Sequence, residues 1–300
     1  MSTLPTRKPN QVAIHPDAST GTVHLTVSDV DRSRAFYERA IGLRATELED
    51  GGLALGVDGE APLIELRGDP TAPGLDPRAP GLYHLAILVP DRAELAMALA
   101  RLAQARVPLS GASDHLVSEA LYLSDPDGNG IEIYRDRPRD EWQVRDGALQ
   151  MATLPLDLDS LLGELSGRTE VTPLAPGGTR IGHVHLQVSD LDEAERFYNG
   201  TLGFDVTVRG YPGALFVSAG GYHHHLGLNT WNSAGSPPAA PGTIGLRSFE
   251  IVLPSAEELD RVLARARAAG IETHDRPDGS LVHDPFGNRV LLRARLTGSS

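Results

Sequence analysis

Thr22-Val23-His24-Leu25-Thr26-Val27-Ser28-Asp29-Val30-Asp31 returns almost letter for letter as Val184-His185-Leu186-Gln187-Val188-Ser189-Asp190-Leu191-Asp192. The chain therefore contains a duplication. Apolar and polar residues alternate through the first copy, with Val23, Leu25 and Val27 on one face and His24, Thr26 and Ser28 on the other, the period of a half-buried strand. Ser28 or Asp29 then caps a helix predicted over 31–40, which Gly42 stops. A histidine on the polar face of a strand that begins a repeat is a candidate metal ligand.

The rest of the chain extends this pattern to four units, each a strand, a helix and then further strands. The first runs over about 21–68, with strands expected at 45–48, 53–57 and 62–66. The second, 81–135, opens on a strand at 83–89. Its helix over 92–105 is capped by Asp91 and Glu94, and its last two strands are joined by Asp125-Pro126-Asp127-Gly128-Asn129. The third, 181–229, repeats the first: Phe197-Tyr198 answers Phe36-Tyr37. The fourth, 245–293, repeats the second, with Ser255 and Glu258 as helix cap and Asp284-Pro285-Phe286-Gly287-Asn288 as hairpin turn. One helix can cover only one face of a sheet, so units are expected to pair around a shared cavity. Residues 1–19 read as a flexible arm, 20–140 as a first paired-unit domain, 141–179 as a linker with a helix over 157–165, and 180–296 as a second paired-unit domain.

Composition narrows the function. Three hundred residues with 40% hydrophobic and 22% charged side chains suit about two soluble domains. A formal charge of -13 opposes nucleic acid and anionic membrane. The absence of cysteine removes disulfides and thiolate ligands, so any metal must be held by histidine, carboxylate or water. That composition and the absence of an apolar leader fit a cytoplasmic protein. Nothing in it opposes a homo-oligomer.

His24, the Phe36-Tyr37 pair, Leu82-Tyr83-His84 and the run Asp125-Pro126-Asp127-Gly128-Asn129-Gly130-Ile131-Glu132 resemble the vicinal oxygen chelate superfamily. Length and motif order are most similar to its two-domain extradiol dioxygenase branch. The resemblance implies an α+β fold of four βαβββ modules, paired into two domains whose curved sheets each close around a cavity. It also implies a metal held by His24, His84 and Glu132, with Fe(II) expected and Mn(II) or another divalent ion as substitutes. Two histidines and a carboxylate leave open positions that suit Fe(II) binding a catechol-like aromatic and O2. His115 and Tyr122 match residues flanking that site. Such enzymes also carry an acid/base histidine on the last strand of the first unit of the active domain, where 62–67 has Glu65 instead, a candidate acid/base or fourth ligand.

Two other readings follow from the same residues. Glu65 as base would suit a glyoxalase-type isomerase or lyase, and the paired-unit cavity alone would suit a protein that sequesters a small aromatic molecule. In the second domain Ser248 aligns with His84 and Leu291 with Glu132, so that site reads as vestigial. His185, His223, His225 and Glu250 are left as an alternative cluster.

Overall fold

The computed structural model of the chain describes residues 12–145, 148–168 and 170–295. The four units appear in the expected order. The first contains β1 (Ser19–Val27), α1 (Val30–Phe36) continued by a wider π-helical turn over Tyr37–Ile41, β2 (Arg44–Glu47), β3 (Leu53–Gly56) and β4 (Ile64–Gly68). The second contains β5 (Gly81–Leu88), α2 (Arg92–Gln104), β6 (Gly111–Asp114), β7 (Ser118–Ser124) and β8 (Gly130–Asp136). Short strands β9 (Val144–Arg145), β10 (Ala148–Leu149) and β11 (Leu154–Pro155) and helix α3 (Leu158–Gly163) follow. The third unit has β12 (Arg180–Gln187), α4 (Leu191–Glu195), β13 (Asp205–Val208), β14 (Ala214–Ser218) and β15 (Leu226–Asn229). The fourth has β16 (Gly245–Leu253), α5 (Ala256–Ala268), β17 (His274–Arg276), β18 (Gly279–His283) and β19 (Arg289–Ala294).

The caps read from the sequence are made. Asp29 accepts from the Arg32 amide at 3.0 Å and Asp91 from the Glu94 amide at 2.9 Å, each satisfying a helix N–H that has no intrahelical partner. Ser255 reaches the Glu258 amide more loosely, at 3.4 Å. The module pattern calls for a strand between α2 and β7, but the sequence did not locate β6. Its sequence, Gly-Ala-Ser-Asp, carries little apolar alternation, and pairing with β7 creates it.

The pairing of units departs from the expectation. The first and second units do not share a sheet, and neither do the third and fourth: one sheet has the order β17-β18-β19-β16-β1-β4-β3-β2 and the other β11-β6-β7-β8-β5-β12-β15-β14-β13. The first unit is thus joined to the fourth through antiparallel β1 and β16, and the second to the third through β5 and β12. The domain boundaries 20–140 and 180–296 do not describe these bodies. The first and second units, like the third and fourth, instead meet through helix and turn. The Tyr37 hydroxyl from the first unit reaches Asp125 in the second unit's hairpin turn at 3.2 Å, and Tyr198 reaches Asp284 in the fourth at 2.9 Å. Both tyrosines are fully buried, and one large apolar cluster draws on residues of both sheets, with a smaller one at Ala86, Leu88, Ala120 and Tyr134.

The arm and linker are more ordered than expected where described; residues 1–11 of the arm lie outside the described range. Ile14 is buried and its amide donates to the Gly203 carbonyl at 2.8 Å. The linker uses the same device at the duplicate position, with the Ala175 amide on the Gly42 carbonyl at 2.8 Å. Gly203 and Gly42 both have positive φ, and a Cβ at either would press on the docked backbone, so glycine serves the helix stop and the close approach together. Between them the linker pairs β11 with β6 and sets Leu161 of α3 into the core.

Candidate metal centre and its cavity

The sheet shared by the second and third units encloses a cavity of about 550 Å³. His84 comes from β5, Glu132 from β8 and His183 from β12, and one ligand atom of each lies within 4.8 Å of the others. Glu132 Oε2 is 3.0 Å from His84 Nε2 and 3.2 Å from His183 Nε2. All three side chains are buried. Burial alone would raise the Glu132 carboxyl, but the charges and hydrogen bonds of His183 and His84 hold it well below the ordinary carboxylate range. Two imidazoles and a carboxylate converging on one point, with no thiolate, fit a divalent transition metal with positions left open toward the cavity. His84 Nε2 is buried and, although 3.0 Å from Glu132, lacks a hydrogen bond of good geometry, which fits a ligand atom.

Two of the three predicted ligands are here and one is not. His24 lies on β1 in the other sheet, opposite Ser248. Its Nδ1 is 3.1 Å from Glu65 and its Nε2 is 3.6 Å from Glu250, and Glu250 also pairs with Arg293 at 3.1 Å. Glu65 is likewise away from the cavity, so it is neither a base for a ligand there nor a fourth metal ligand. His183 takes the place assigned to His24. It stands two residues before His185 and so shares its strand face, which is the signal that was available. Matching the repeat histidine for histidine passed over it, because the first unit has Thr22 at that position. Close approach of the backbone also depends on Gly182, where a Cβ would overlap the Tyr134 hydroxyl.

The corresponding positions of the other sheet are Thr22, Ser248 and Leu291, a set that cannot hold a metal. Register supports the correspondence: His24 pairs with Ser248 as His185 pairs with His84, and Glu250 pairs with Leu291 as Ala86 pairs with Glu132. The alternative cluster does not assemble either. Glu250 is on the first sheet with His24, whereas His185 is on the second and His223 and His225 lie in the turn that leads into β15, not on a shared strand face. His225 Nδ1 is 3.1 Å from both the Ala219 amide and the Ser218 hydroxyl, and burial pushes it down to about 3, so it is a neutral structural acceptor.

His115 and Tyr122 line the cavity as expected. Tyr122 pairs with Glu132 across β7 and β8, and its hydroxyl meets His115 Nε2 at 2.6 Å. His115 Nδ1 is 2.7 Å from the Ala152 carbonyl. That carbonyl only accepts, so Nδ1 carries hydrogen, and in the neutral ring Nε2 accepts from the phenol. Burial and the Glu132 charge raise Tyr122 well above the ordinary phenol value, keeping it protonated.

Where the first unit has no histidine over 62–67, the third unit has histidine in the corresponding stretch. Just before β15, His224 lines the cavity with its ring centroid 4.1 Å from that of His183. Burial, with the neighbouring His183 and His223, pushes it well below 6.5, so it is neutral imidazole. His185, Tyr83, Trp231, Tyr211 and Phe216 complete an aromatic wall, with Tyr83 and Trp231 rings 5.2 Å apart.

Paired units, curved sheets and this ligand set define the class. The Glyoxalase/Bleomycin resistance protein/Dioxygenase superfamily matches residues 19–133 and 180–292, and the chain belongs to it. It is 48% identical over 283 residues to a catechol-2,3-dioxygenase of Bacillus subtilis (strain 168), covering 93% of this chain and 98% of that one. With that likeness over nearly all of both chains, the protein is a dioxygenase-like enzyme of the superfamily. Among solved structures, a putative dioxygenase from Bacillus subtilis subsp. subtilis str. 168 has a TM-score of 0.62 at 15% identity, covering 94% of this chain and 87% of that one. Glyoxalase I from Zea mays has a TM-score of 0.54 at 17% identity, covering 92% of each chain. These two likenesses establish the fold alone.

Proposed function

We propose that the protein is an Fe(II)-dependent extradiol dioxygenase that opens the ring of an uncharged, catechol-like aromatic with O2, and that it works in the cytoplasm. The supporting observation is the convergence of His84, Glu132 and His183 beside His224 and the His115–Tyr122 pair. Iron, when bound, would hold substrate and oxygen on neighbouring positions and allow electron density to pass between them. The chain's own groups do the rest. His224, neutral and facing the cavity, takes a proton from a substrate hydroxyl, and Tyr122, its own hydrogen directed at His115, accepts a hydrogen bond from a substrate hydroxyl. The aromatic wall orients the ring and excludes water. No described residue lining the cavity is Lys or Arg, and Glu132 is the only carboxylate among them, which matches an uncharged ring.

Anaerobic reconstitution with Fe(II), followed by catechol and oxygen, is expected to give oxygen uptake and a yellow ring-cleavage product. A protein holding stoichiometric iron but consuming no oxygen across a broad panel of catechols would overturn the proposal. The isomerase reading loses its base, because Glu65 is bound to His24 on the other sheet.

A further inference from the structure

Behind His224 runs a hydrogen-bonded chain that the reaction above does not use. His224 Nδ1 is 2.7 Å from His223 Nδ1, and His223 Nε2 is 2.9 Å from Asp136 Oδ1 at the end of β8. Both histidines are buried, and His223 has no exposed surface. Asp136 is the outer end, with its side chain about a quarter exposed. It is held from its other side by the Tyr222 hydroxyl, at 3.1 and 3.0 Å from its two oxygens, and Tyr222 is in turn 2.7 Å from the Tyr134 hydroxyl.

The chain fixes where the hydrogens lie. A carboxylate offers only lone pairs, so the hydrogen between Asp136 and His223 is on His223 Nε2. Neutral His223 then has a lone pair at Nδ1, and the only hydrogen for the contact between the two rings is the one on His224 Nδ1. His224 Nε2 is left without hydrogen, as the nitrogen available to the cavity. We infer that Asp136 and His223 are positioning residues that lock His224 in the tautomer presenting a bare Nε2 to the bound substrate. The role rests on the dioxygenase reading for what His224 does, but not for the tautomer itself. An isolated histidine beside a cavity would choose its tautomer according to what is bound. Here the choice is made beforehand, from a partly exposed carboxylate two hydrogen bonds away from His224.

The test reads the tautomer directly. Protein with ¹⁵N-labelled histidine and Zn(II) in the site is studied by long-range ¹H–¹⁵N correlation, with the His224 signals assigned by their loss in His224→Phe. The wild type is expected to show hydrogen on Nδ1 and a pyridine-like Nε2. His223→Leu removes the acceptor and is expected to mix or invert the tautomer. His223→Asn, which returns an oxygen near the place of Nδ1, is expected to restore it. Asp136→Asn can donate where the carboxylate accepted, and inversion is expected there too, since an amide in that role selects the wrong histidine tautomer. With iron and catechol, His223→Leu and Asp136→Asn should lower kcat about 100-fold with KM within about threefold, and His223→Asn should recover most of the loss. Hydrogen on Nε2 in the wild type, or a tautomer unmoved by both His223→Leu and Asp136→Asn, would overturn the inference. If the wild type turned over no catechol at all, the proposed function would fall while the spectra still decided the chain.

Discussion

His183 and His24 show how much depends on single residues in a duplicated sequence. Both sit on the first strand of a unit and both are buried, yet one meets Glu132 and the other meets Glu65 and Glu250. His183→Ala is expected to lower affinity for a divalent metal by at least about 100-fold, since removal of even an outer partner costs 10- to 100-fold. His24→Ala should leave the metal stoichiometry unchanged. Isothermal titration with Zn(II) and metal analysis of both variants check this, and metal loss in the His24 variant would reverse the assignment. The cavity wall makes a second prediction at this scale. With no cationic side chain to meet a carboxylate, a catechol carrying one on the ring should have kcat/KM about 100-fold or more below that of catechol itself, the range expected when a buried charge is left unpaired. Steady-state oxygen uptake with the pair of substrates measures it.

Among the elements, the hairpin turns and the helices that hold them are what the repeat preserves. Asp125 accepts from the Asp127 and Asn129 amides at 2.9 and 2.8 Å and from the Asn129 side chain at 2.9 Å, and Asp284 repeats the arrangement with Phe286 and Asn288. Tyr37 and Tyr198 close these turns from the neighbouring units. Each Tyr→Phe change removes one buried hydrogen bond and should cost about 1–2 kcal/mol in urea unfolding. The two changes share no partner, so the double variant should lose the sum within about 0.5 kcal/mol; a double variant no worse than one single would mean that the two turns do not act independently. The strap between the second and third units carries consequences of the same kind. Through Ala152 it sets the hydrogen on His115, so this linker segment takes part in shaping the cavity.

Across the whole molecule, the duplicate sheet has kept the fold and replaced the metal set with an ionic cluster. Burial alone would lower His24, but the hydrogen bonds and charges of Glu250 and Glu65 outweigh it and raise the group from 6.5 to about 9. A raised folded-state value means that the cluster stabilises the fold fully below about pH 6.5, and that its contribution disappears as the pH rises through about 9. Urea unfolding should therefore show a loss of about 3 kcal/mol between pH 6 and 10 that His24→Gln largely removes. An unchanged pH slope in that variant would show that the cluster is not the source. No described helix is long and apolar enough to cross a membrane.

The sequence by itself determined the units. Period-two strands, capped helices and the two Asp-Pro turns are local, and each is legible because backbone hydrogen bonding and side-chain parity act over a few residues. It also placed His84, Glu132, His115 and Tyr122, all contributed by one unit, where short connections fix the geometry. What it could not decide was which unit supplies the partner. The first unit was expected to share a sheet with the second and the third with the fourth, but β12 joins β5 and β16 returns to β1. Strand edges of near-identical units are interchangeable locally, so the choice between them belongs to packing of the whole core. That choice exchanged His24 for His183, brought His224 and the Asp136–His223 chain to the cavity, and left Glu65 on the far sheet.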